Sequence, residues 1–215
     1  MNTVTKRVGL LVAGLVAAAA AQAGQGDLVT RVRATYLEFD NGQNSLPVVV
    51  KADSRLIPEV DFSYYLTDNV SAELVLTYPQ KIDISVNGSD AGSVTALPPT
   101  LLAQYHFGDA DGAFVPYVGA GLNLTLFGSR SVLAGGAHIS KSSVGVAGQI
   151  GADFALSGAW TLNVDLKYVA MNTDVYVGST KAGKLDLNPW VASVGIGLQV
   201  LAELVARRIS SAAPC

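Results

Sequence analysis

The sequence predicts an all-β protein, specifically an eight-stranded antiparallel transmembrane β-barrel with short periplasmic turns and longer external loops. Three observations predict this fold class. The composition is typical of a membrane protein, the N-terminus carries an export signal, and apolar residues recur at every second position along the chain.

The composition excludes a disordered chain and disfavours a soluble one. Half of the 215 residues are hydrophobic and only 14% are charged, whereas soluble domains are about 25% charged. No apolar stretch downstream of the N-terminus is long enough for a transmembrane helix, and the longest charge-free stretch, residues 112–129, is interrupted by glycines and a proline. Because only helices and closed barrels satisfy their backbone hydrogen bonds in lipid, a barrel is predicted.

Residues 1–23 are typical of a secretory signal peptide. Lys6 and Arg7 precede an apolar core over residues 8–20, and Ala21-Gln22-Ala23 has the small-x-small pattern of a cleavage site. We therefore expect cleavage after Ala23 and export to a Gram-negative bacterial outer membrane. The single cysteine, Cys215, excludes an intramolecular disulfide and a cysteine-based zinc site. A formal net charge of −3 argues against nucleic acid as a partner.

The barrel strands are predicted from period-two alternation. From Trp160 to Tyr168 the even positions are all apolar and the odd positions are all polar, so that one face would meet lipid and the other the lumen. Eight segments of this kind are predicted, at residues 27–37, 57–67, 70–80, 97–107, 114–126, 143–155, 160–171 and 184–198.

The connections between these segments alternate in length, which sets the orientation of the barrel. Short connections are predicted at residues 68–69, 108–113 and 156–159, and long ones at 38–56, 81–96, 127–142 and 172–183. Outer-membrane barrels have short periplasmic turns and long external loops, so both ends of the barrel are predicted in the periplasm. Aromatic residues near the strand ends predict two interfacial girdles, one containing Phe107, Phe114, Phe154 and Trp160 and the other Tyr36, Tyr78, Phe127 and Trp190.

Five stretches carry a specific pattern: YYLTDNV at 64–70, LPPTLLAQYHFGDA at 97–110, FVPYVGAGLN at 114–123, AGQIG at 147–151 and LDLNPW at 185–190. They resemble the OmpW/AlkL family of eight-stranded outer-membrane barrels. The resemblance implies a monomer in outer-membrane lipid, inserted by the outer-membrane assembly machinery. It also implies a narrow, partly apolar lumen that small hydrophobic ligands enter and leave, in part sideways into the bilayer.

The C-terminus departs from the family pattern. Leu198 stands where family members place a terminal aromatic residue, and residues 199–215 follow as an extension in which 200–209 predict a short amphipathic helix. Three interpretations stay open: weaker membrane insertion, a cloning or reading-frame artefact, or a periplasmic appendage. The predicted organisation is a signal peptide (1–23), a barrel (24–198) and this extension.

The inward positions determine what could pass through the lumen, because eight strands leave an interior almost filled by side chains. Val75, Leu102 and Tyr65 are predicted to form an apolar constriction, although they could equally well only plug the lumen. Six polar residues share the inward alternation and predict a hydrogen-bonded and ionic network, since buried charges need partners. They are Asp61, Glu73, Gln104, His106, Asp165 and Lys167.

No catalytic, metal or cofactor site is predicted. The two histidines, His106 and His138, fall at opposite ends of the barrel, and no Ser/His/Asp spacing marks a nucleophile. The favoured function is an outer-membrane channel or binding barrel for passive uptake of small hydrophobic molecules. The alternative is a structural or surface-recognition barrel with a closed lumen, whose loops contact phage, bacteriocin or host. An enzyme is the third and least favoured interpretation.

Overall fold

The computed structural model describes residues 23–40, 50–108, 112–128, 131–132 and 136–200. Residues 1–22 of the predicted signal and 201–215 of the extension lie outside the described residues. Within the described part no helix is long and apolar enough to cross a membrane. The chain forms fifteen strands: β1 (Leu28–Glu38), β2 (Val50–Ala52), β3 (Arg55–Tyr65), β4 (Val70–Thr77), β5 (Gln80–Val86), β6 (Ser89–Leu97), β7 (Thr100–His106), β8 (Phe114–Phe127), β9 (Ser131–Val132), β10 (Ala137–Ile139), β11 (Ser142–Ala155), β12 (Trp160–Val169), β13 (Asn172–Val177), β14 (Thr180–Asp186) and β15 (Trp190–Val200).

Eight of these strands close into an antiparallel barrel, which confirms the predicted fold class. The order around the wall is β1, β3, β4, β7, β8, β11, β12 and β15. The first and last strands complete the ring, because β1 pairs with β15 from Leu28–Val200 to Glu38–Trp190. β15 therefore runs two residues beyond the predicted barrel end at 198, and the ring leaves no free edge where it closes.

In the structure, alternate side chains of each barrel strand face the lumen and the exterior of the barrel, as the alternation in the sequence predicts. Along β12 the large apolar side chains face outward, and the polar side chains Thr161, Asn163, Asp165 and Lys167 are buried in the lumen. This is the reverse of a soluble protein, and it is the arrangement expected where lipid is the solvent. The low overall charge follows from it, because the outer wall carries apolar side chains.

The predicted long connections are partly folded into strands, which corrects the description of 81–96, 127–142 and 172–183 as loops. β5 and β6 form a hairpin that continues the wall from β8 and joins β2, while β9, β10, β13 and β14 form a separate four-stranded sheet. Asn87 and Gly88 connect β5 to β6 with φ of 50° and 80°. Positive φ at both central residues is what a two-residue type I′ hairpin turn requires, and Asn-Gly suits it.

Two further expectations are wrong. The predicted strand 184–198 is interrupted at residues 187–189, because Pro189 has no N–H for a ladder and Asn188 adopts a positive φ of 25°. Phe127 does not belong to the external aromatic girdle, since its side chain is buried in the lumen. The exposed aromatic residues at the two rims are Phe107, Phe114 and Trp160 on the periplasmic side and Tyr36, Tyr78 and Trp190 on the external side.

Candidate functional site

The first strand supplies the centre of a charged cluster inside the barrel. Arg31 and Arg33 point inward from β1, and each is only 1% exposed. Arg31 donates hydrogen bonds to Asp61 (2.9 Å), Ser63 (2.8 Å) and Asp153 (2.8 Å). Because these partners come from β3 and β11, Arg31 links strands that are not neighbours in the wall.

Arg33 lies two residues after Arg31 on β1, nearer the external side, and contacts a second set of carboxylates. Its guanidinium lies 2.9 Å from each of Glu59, Asp61 and Glu73. It also donates to the amide oxygen of Asn163 at 3.2 Å. Asp61 therefore bridges the two arginines. Buried ion pairs of this kind persist only when several hydrogen bonds replace the lost water.

The structure places all six predicted network residues in this cluster, which we call the polar belt. Glu73 accepts a hydrogen bond from Gln149 (2.8 Å), and Asp165 accepts one from Tyr117 (3.0 Å). Gln104 accepts from Ser71, whose hydroxyl is also 3.0 Å from His106 Nε2. Lys167 completes the belt, and its Nζ lies 3.6 Å from Asp165 and 3.9 Å from Glu59.

Sequence reasoning missed several members of the belt, including both arginines. The signal that would have found them is the alternation already used for other strands, because Val29, Arg31, Arg33, Thr35 and Leu37 share one face of β1. The other missed members lie at inward positions of their strands and are Glu59, Ser63, Ser71, Tyr117, Gln149, Asp153 and Asn163.

Glycines in the wall make room for the belt's larger side chains. The ring of Tyr117 lies over Gly151, where an added Cβ would collide with the ring, and Gln149 lies over Gly119 in the same way, 2.8 Å from an added Cβ. In each pair the glycine and the larger residue lie opposite each other across the β8–β11 ladder. Glycine at these inward positions thus lets a neighbouring side chain lie flat against the backbone.

Above the belt, on the external side, the lumen contains a large apolar cluster beside buried polar residues such as Thr100, Asn123 and Thr125. Val75 and Leu102 belong to one buried cluster that continues upward with Ile57, Leu37 and Val169. Tyr65 lies elsewhere, which corrects its grouping with Val75 and Leu102. It packs with Ala23 and Val29 at the periplasmic end, and its hydroxyl lies 3.3 Å from His106 Nδ1.

A narrow cavity lies where the polar belt meets the apolar cluster; its empty space, including the open space at its mouth, is about 400 Å³, of which only about 30 Å³ admits the centre of a water-sized sphere. Its apolar walls include Leu37, Ile57, Val75, Val169 and Met171, and its polar lining includes Glu59, Thr77 and Lys167. A second cavity, with about 350 Å³ of empty space and about 20 Å³ for the centre of such a sphere, shares Leu37, Ile57, Pro98 and Met171 with the first, so the two adjoin.

The barrel wall is incomplete beside the second cavity. Residues 55–58 of β3 pair with β1, but among the described strands they have no ladder partner on their other edge, since β4 pairs only from Glu59 onward. Arg55, Gln80 and Ile82 line the cavity at this place. A salt bridge from Arg55 to Asp83 (3.1 Å) crosses from β3 to β5. We call this opening the wall gap.

The external sheet has local contacts of its own. His138 of β10 stacks on Tyr176 of β13, with ring centroids 5.3 Å apart. A hydrogen bond from Lys181 to Asp174 at 2.7 Å raises the pKa of Lys181 above its usual value. Within the described residues, no group of three or more His, Cys, Asp or Glu could hold a metal ion.

A closed eight-stranded barrel with an apolar exterior and charged side chains clustered in its lumen has the architecture of an outer-membrane β-barrel protein. Comparison with known proteins identifies the family. The OmpW family model matches residues 21–200, and the chain belongs to this family. The resemblance inferred from the sequence, and the predicted outer-membrane localisation, are thereby confirmed.

Individual relatives agree with this assignment. The chain is 40% identical over 148 residues to an uncharacterized outer-membrane protein, y4mB, of Sinorhizobium fredii, an alignment that covers 66% of this chain and 64% of the relative. It is 36% identical to outer membrane protein W of Escherichia coli over 63% of this chain and 69% of that protein. The crystal structure of OprG from Pseudomonas aeruginosa matches with a TM-score of 0.72 at 25% identity, over 84% of this chain and 99% of OprG.

Proposed function

We propose that the protein is an outer-membrane channel for the passive uptake of small hydrophobic molecules. The observation that carries this proposal is the pair of adjoining cavities in the external part of the lumen, walled by Leu37, Ile57, Val75, Val169 and Met171. Binding pockets for apolar molecules combine such walls with a few polar groups. An unneeded cavity would cost stability, because its lining forgoes packing contacts.

The polar belt disfavours a straight aqueous path to the periplasm. Arg31 and Arg33 extend across the lumen from β1 and donate hydrogen bonds to Asp153 of β11 and Asn163 of β12, neither of which is adjacent to β1. An apolar molecule would have to break several buried ion pairs to pass, which costs several kcal/mol for each charge left unpaired. A water-filled pore for sugars or ions is disfavoured for the same reason.

The wall gap offers such a molecule another exit. The second cavity lies beside residues 55–58, where the wall lacks a ladder, so an apolar molecule could move from the cavity into the bilayer without disrupting the belt. Transfer from one apolar environment to another requires no desolvation of a charged group. The position of the wall gap beside the second cavity agrees with the sideways release that the family resemblance implies.

We also infer that the barrel works as a monomer inserted by the outer-membrane assembly machinery. The ladder closes within one chain through the pairing of β1 with β15, so no second copy is needed to complete the wall. Cross-linking in native membranes, with a monomeric product expected at all protein concentrations, checks the oligomeric state.

Reconstitution into liposomes tests the transport proposal. Entry of an apolar fluorescent tracer that is captured by a lumenal binding protein is compared with entry of a radiolabelled sugar. We expect the barrel to accelerate tracer entry and to leave sugar entry at the rate of empty vesicles. Acceleration of neither would favour a structural or surface-recognition barrel, and equal acceleration of both would indicate a general porin.

A further inference from the structure

The cavity floor presents a buried ammonium group that has no hydrogen bond. Lys167 is only 2% exposed and lines the cavity, and in the described part of the chain its Nζ has no hydrogen-bond partner. The carboxylate oxygens of Asp165 and Glu59 lie at 3.6 Å and 3.9 Å, beyond the usual 2.7–3.2 Å range. The Glu59 oxygen that faces Lys167 also lies 2.9 Å from Arg33, whereas Tyr117 donates at 3.0 Å to the other oxygen of Asp165, Oδ2, so that Lys167 keeps ion pairs with both carboxylates but has no hydrogen bond.

A hydroxyl on the same cavity is unpartnered as well. The Thr77 Oγ1 atom is buried and makes no hydrogen bond to any described residue, and Thr77 lines the cavity beside Glu59, its partner across the β3–β4 ladder. Buried polar atoms are almost always hydrogen-bonded. Two groups without a hydrogen bond, from β12 and β4, therefore border one space that is otherwise lined by apolar side chains together with Thr35, Glu59, Thr100 and Asn123.

The charge of the belt limits which polar group could satisfy them. The buried charged side chains of the described lumen include five carboxylates (Glu59, Asp61, Glu73, Asp153 and Asp165) and three cations (Arg31, Arg33 and Lys167). An anionic ligand would add negative charge to a cluster in which carboxylates already outnumber cations, at low dielectric. A neutral oxygen atom can accept from Lys167 without that repulsion.

We propose that the cavity binds small apolar molecules that carry one neutral oxygen, such as a ketone, alcohol or ester, with this oxygen accepting hydrogen bonds from Lys167 Nζ and Thr77 Oγ1. The hydrocarbon part lies against Leu37, Ile57, Val75 and Val169. This inference rests on the proposed uptake function and names the class of molecule that the same cavity selects. It also gives the orphaned groups of Lys167 and Thr77 a partner.

Binding of three seven-carbon probes to the full chain in lipid nanodiscs tests the proposal. Heptane, 2-heptanone and heptanoate are titrated, and dissociation constants are read from the backbone amide chemical shifts of Val75 and Val169. We expect 2-heptanone to bind about tenfold more tightly than heptane, the effect of a weak hydrogen bond with a charged donor, and heptanoate to bind more weakly than 2-heptanone.

Two variants assign that preference to the named atoms. Lys167→Met should abolish the preference for 2-heptanone, and Thr77→Val should lower it about threefold. The deciding quantity is the ratio of the 2-heptanone and heptane dissociation constants within each variant, because both substitutions also make the cavity lining more apolar. Lys81→Met and Thr180→Val remove the same groups from exposed sites outside the cavity and should leave every affinity unchanged. If Lys167→Met does not fold, the threefold loss of preference in Thr77→Val is the deciding result, because the Thr77 hydroxyl makes no hydrogen bond to the described residues.

The outcomes separate this inference from the proposed function. Equal binding of heptane and 2-heptanone to the wild type, or a preference that survives both Thr77→Val and Lys167→Met, would overturn the inference and leave hydrophobic uptake standing. Tighter binding of heptanoate would overturn the neutral-oxygen class. Saturable binding of none of the three probes would overturn the proposed function and the inference together.

Discussion

Arg31 and Asp153, which lie 122 residues apart in the chain, form a two-point hydrogen bond across the inside of the barrel. Nε and Nη2 of the arginine meet Oδ1 and Oδ2 of the carboxylate at 3.2 Å and 2.8 Å. The two residues belong to β1 and β11, which are separated in the wall by β12 and β15. The pair therefore links two non-adjacent strands of the wall through the lumen, and it forms part of the polar belt.

Asp153→Asn should destabilise the folded barrel strongly. The substitution keeps the shape of the side chain but removes one of the two carboxylates that pair with Arg31, and breaking a buried ion pair costs about 3–5 kcal/mol. Urea unfolding in lipid vesicles measures the loss. Asp83→Asn, which removes the partly exposed ion pair with Arg55, should cost less than about 1 kcal/mol. Equal effects of the two substitutions would show that the Arg31–Asp153 pair has no special structural role.

Gly151→Ala should also destabilise the barrel, by about 1–3 kcal/mol, because the new methyl group would occupy the space of the Tyr117 ring and of the Val164 carbonyl oxygen. The matched control is Gly148→Ala in the same strand. An added Cβ at residue 148 meets no atom within 4 Å, so this variant should unfold at the wild-type urea concentration. A wild-type midpoint for Gly151→Ala would mean that the Tyr117 ring does not lie over this glycine.

Val75→Asp and Leu102→Asp should slow uptake of an apolar tracer at least tenfold, because each would place a carboxylate in the apolar cluster above the belt. The rate is measured in the liposome assay, with the shift in gel mobility on heating used to verify folding. Val75→Thr replaces a methyl group by a hydroxyl at nearly constant volume and should have an intermediate effect. Uptake at the wild-type rate in all three folded variants would contradict the predicted constriction.

Bridging the wall gap should slow release of the tracer into the bilayer. In a Cys215→Ser background, Arg55→Cys and Asp83→Cys place thiols on the two strands that the Arg55–Asp83 salt bridge now joins, and a short bis-thiol reagent links them. We expect severalfold slower transfer after linking and recovery on reduction. The singly substituted variants treated with the same reagent are the control. Unchanged transfer in the linked barrel would place the exit elsewhere.

Much of the fold could be predicted from alternation alone. The eight barrel strands lie close to their predicted positions, and the six predicted belt residues all face the lumen. Alternation did not reveal the strands within the external connections, because β5, β6, β13 and β14 are short and exposed positions such as Lys81, Asp90 and Lys181 carry polar residues instead of an apolar stripe. Alternation also predicted one continuous last strand across Pro189, whereas Pro189 interrupts the ladder there.

The site was only partly accessible to the same reasoning. Alternation states that Val75 and Tyr65 both face inward, but it does not state that Val75 lies in the external apolar cluster and Tyr65 at the periplasmic end. Height in the barrel depends on the stagger of each strand against its neighbours. The pairing of residues between neighbouring strands sets this stagger, so it cannot be read from the sequence of any one strand.

The sequence by itself determined which kind of protein this is. Apolar residues at every second position, in a half-hydrophobic chain whose N-terminus predicts an export signal, indicate a wall with lipid on one side, because each strand presents one apolar and one polar face. The tertiary structure decided which charges meet, where the cavities lie, and where the wall lacks a ladder. These depend on the closure of eight strands around a lumen so narrow that Arg31 can reach Asp153, 122 residues away.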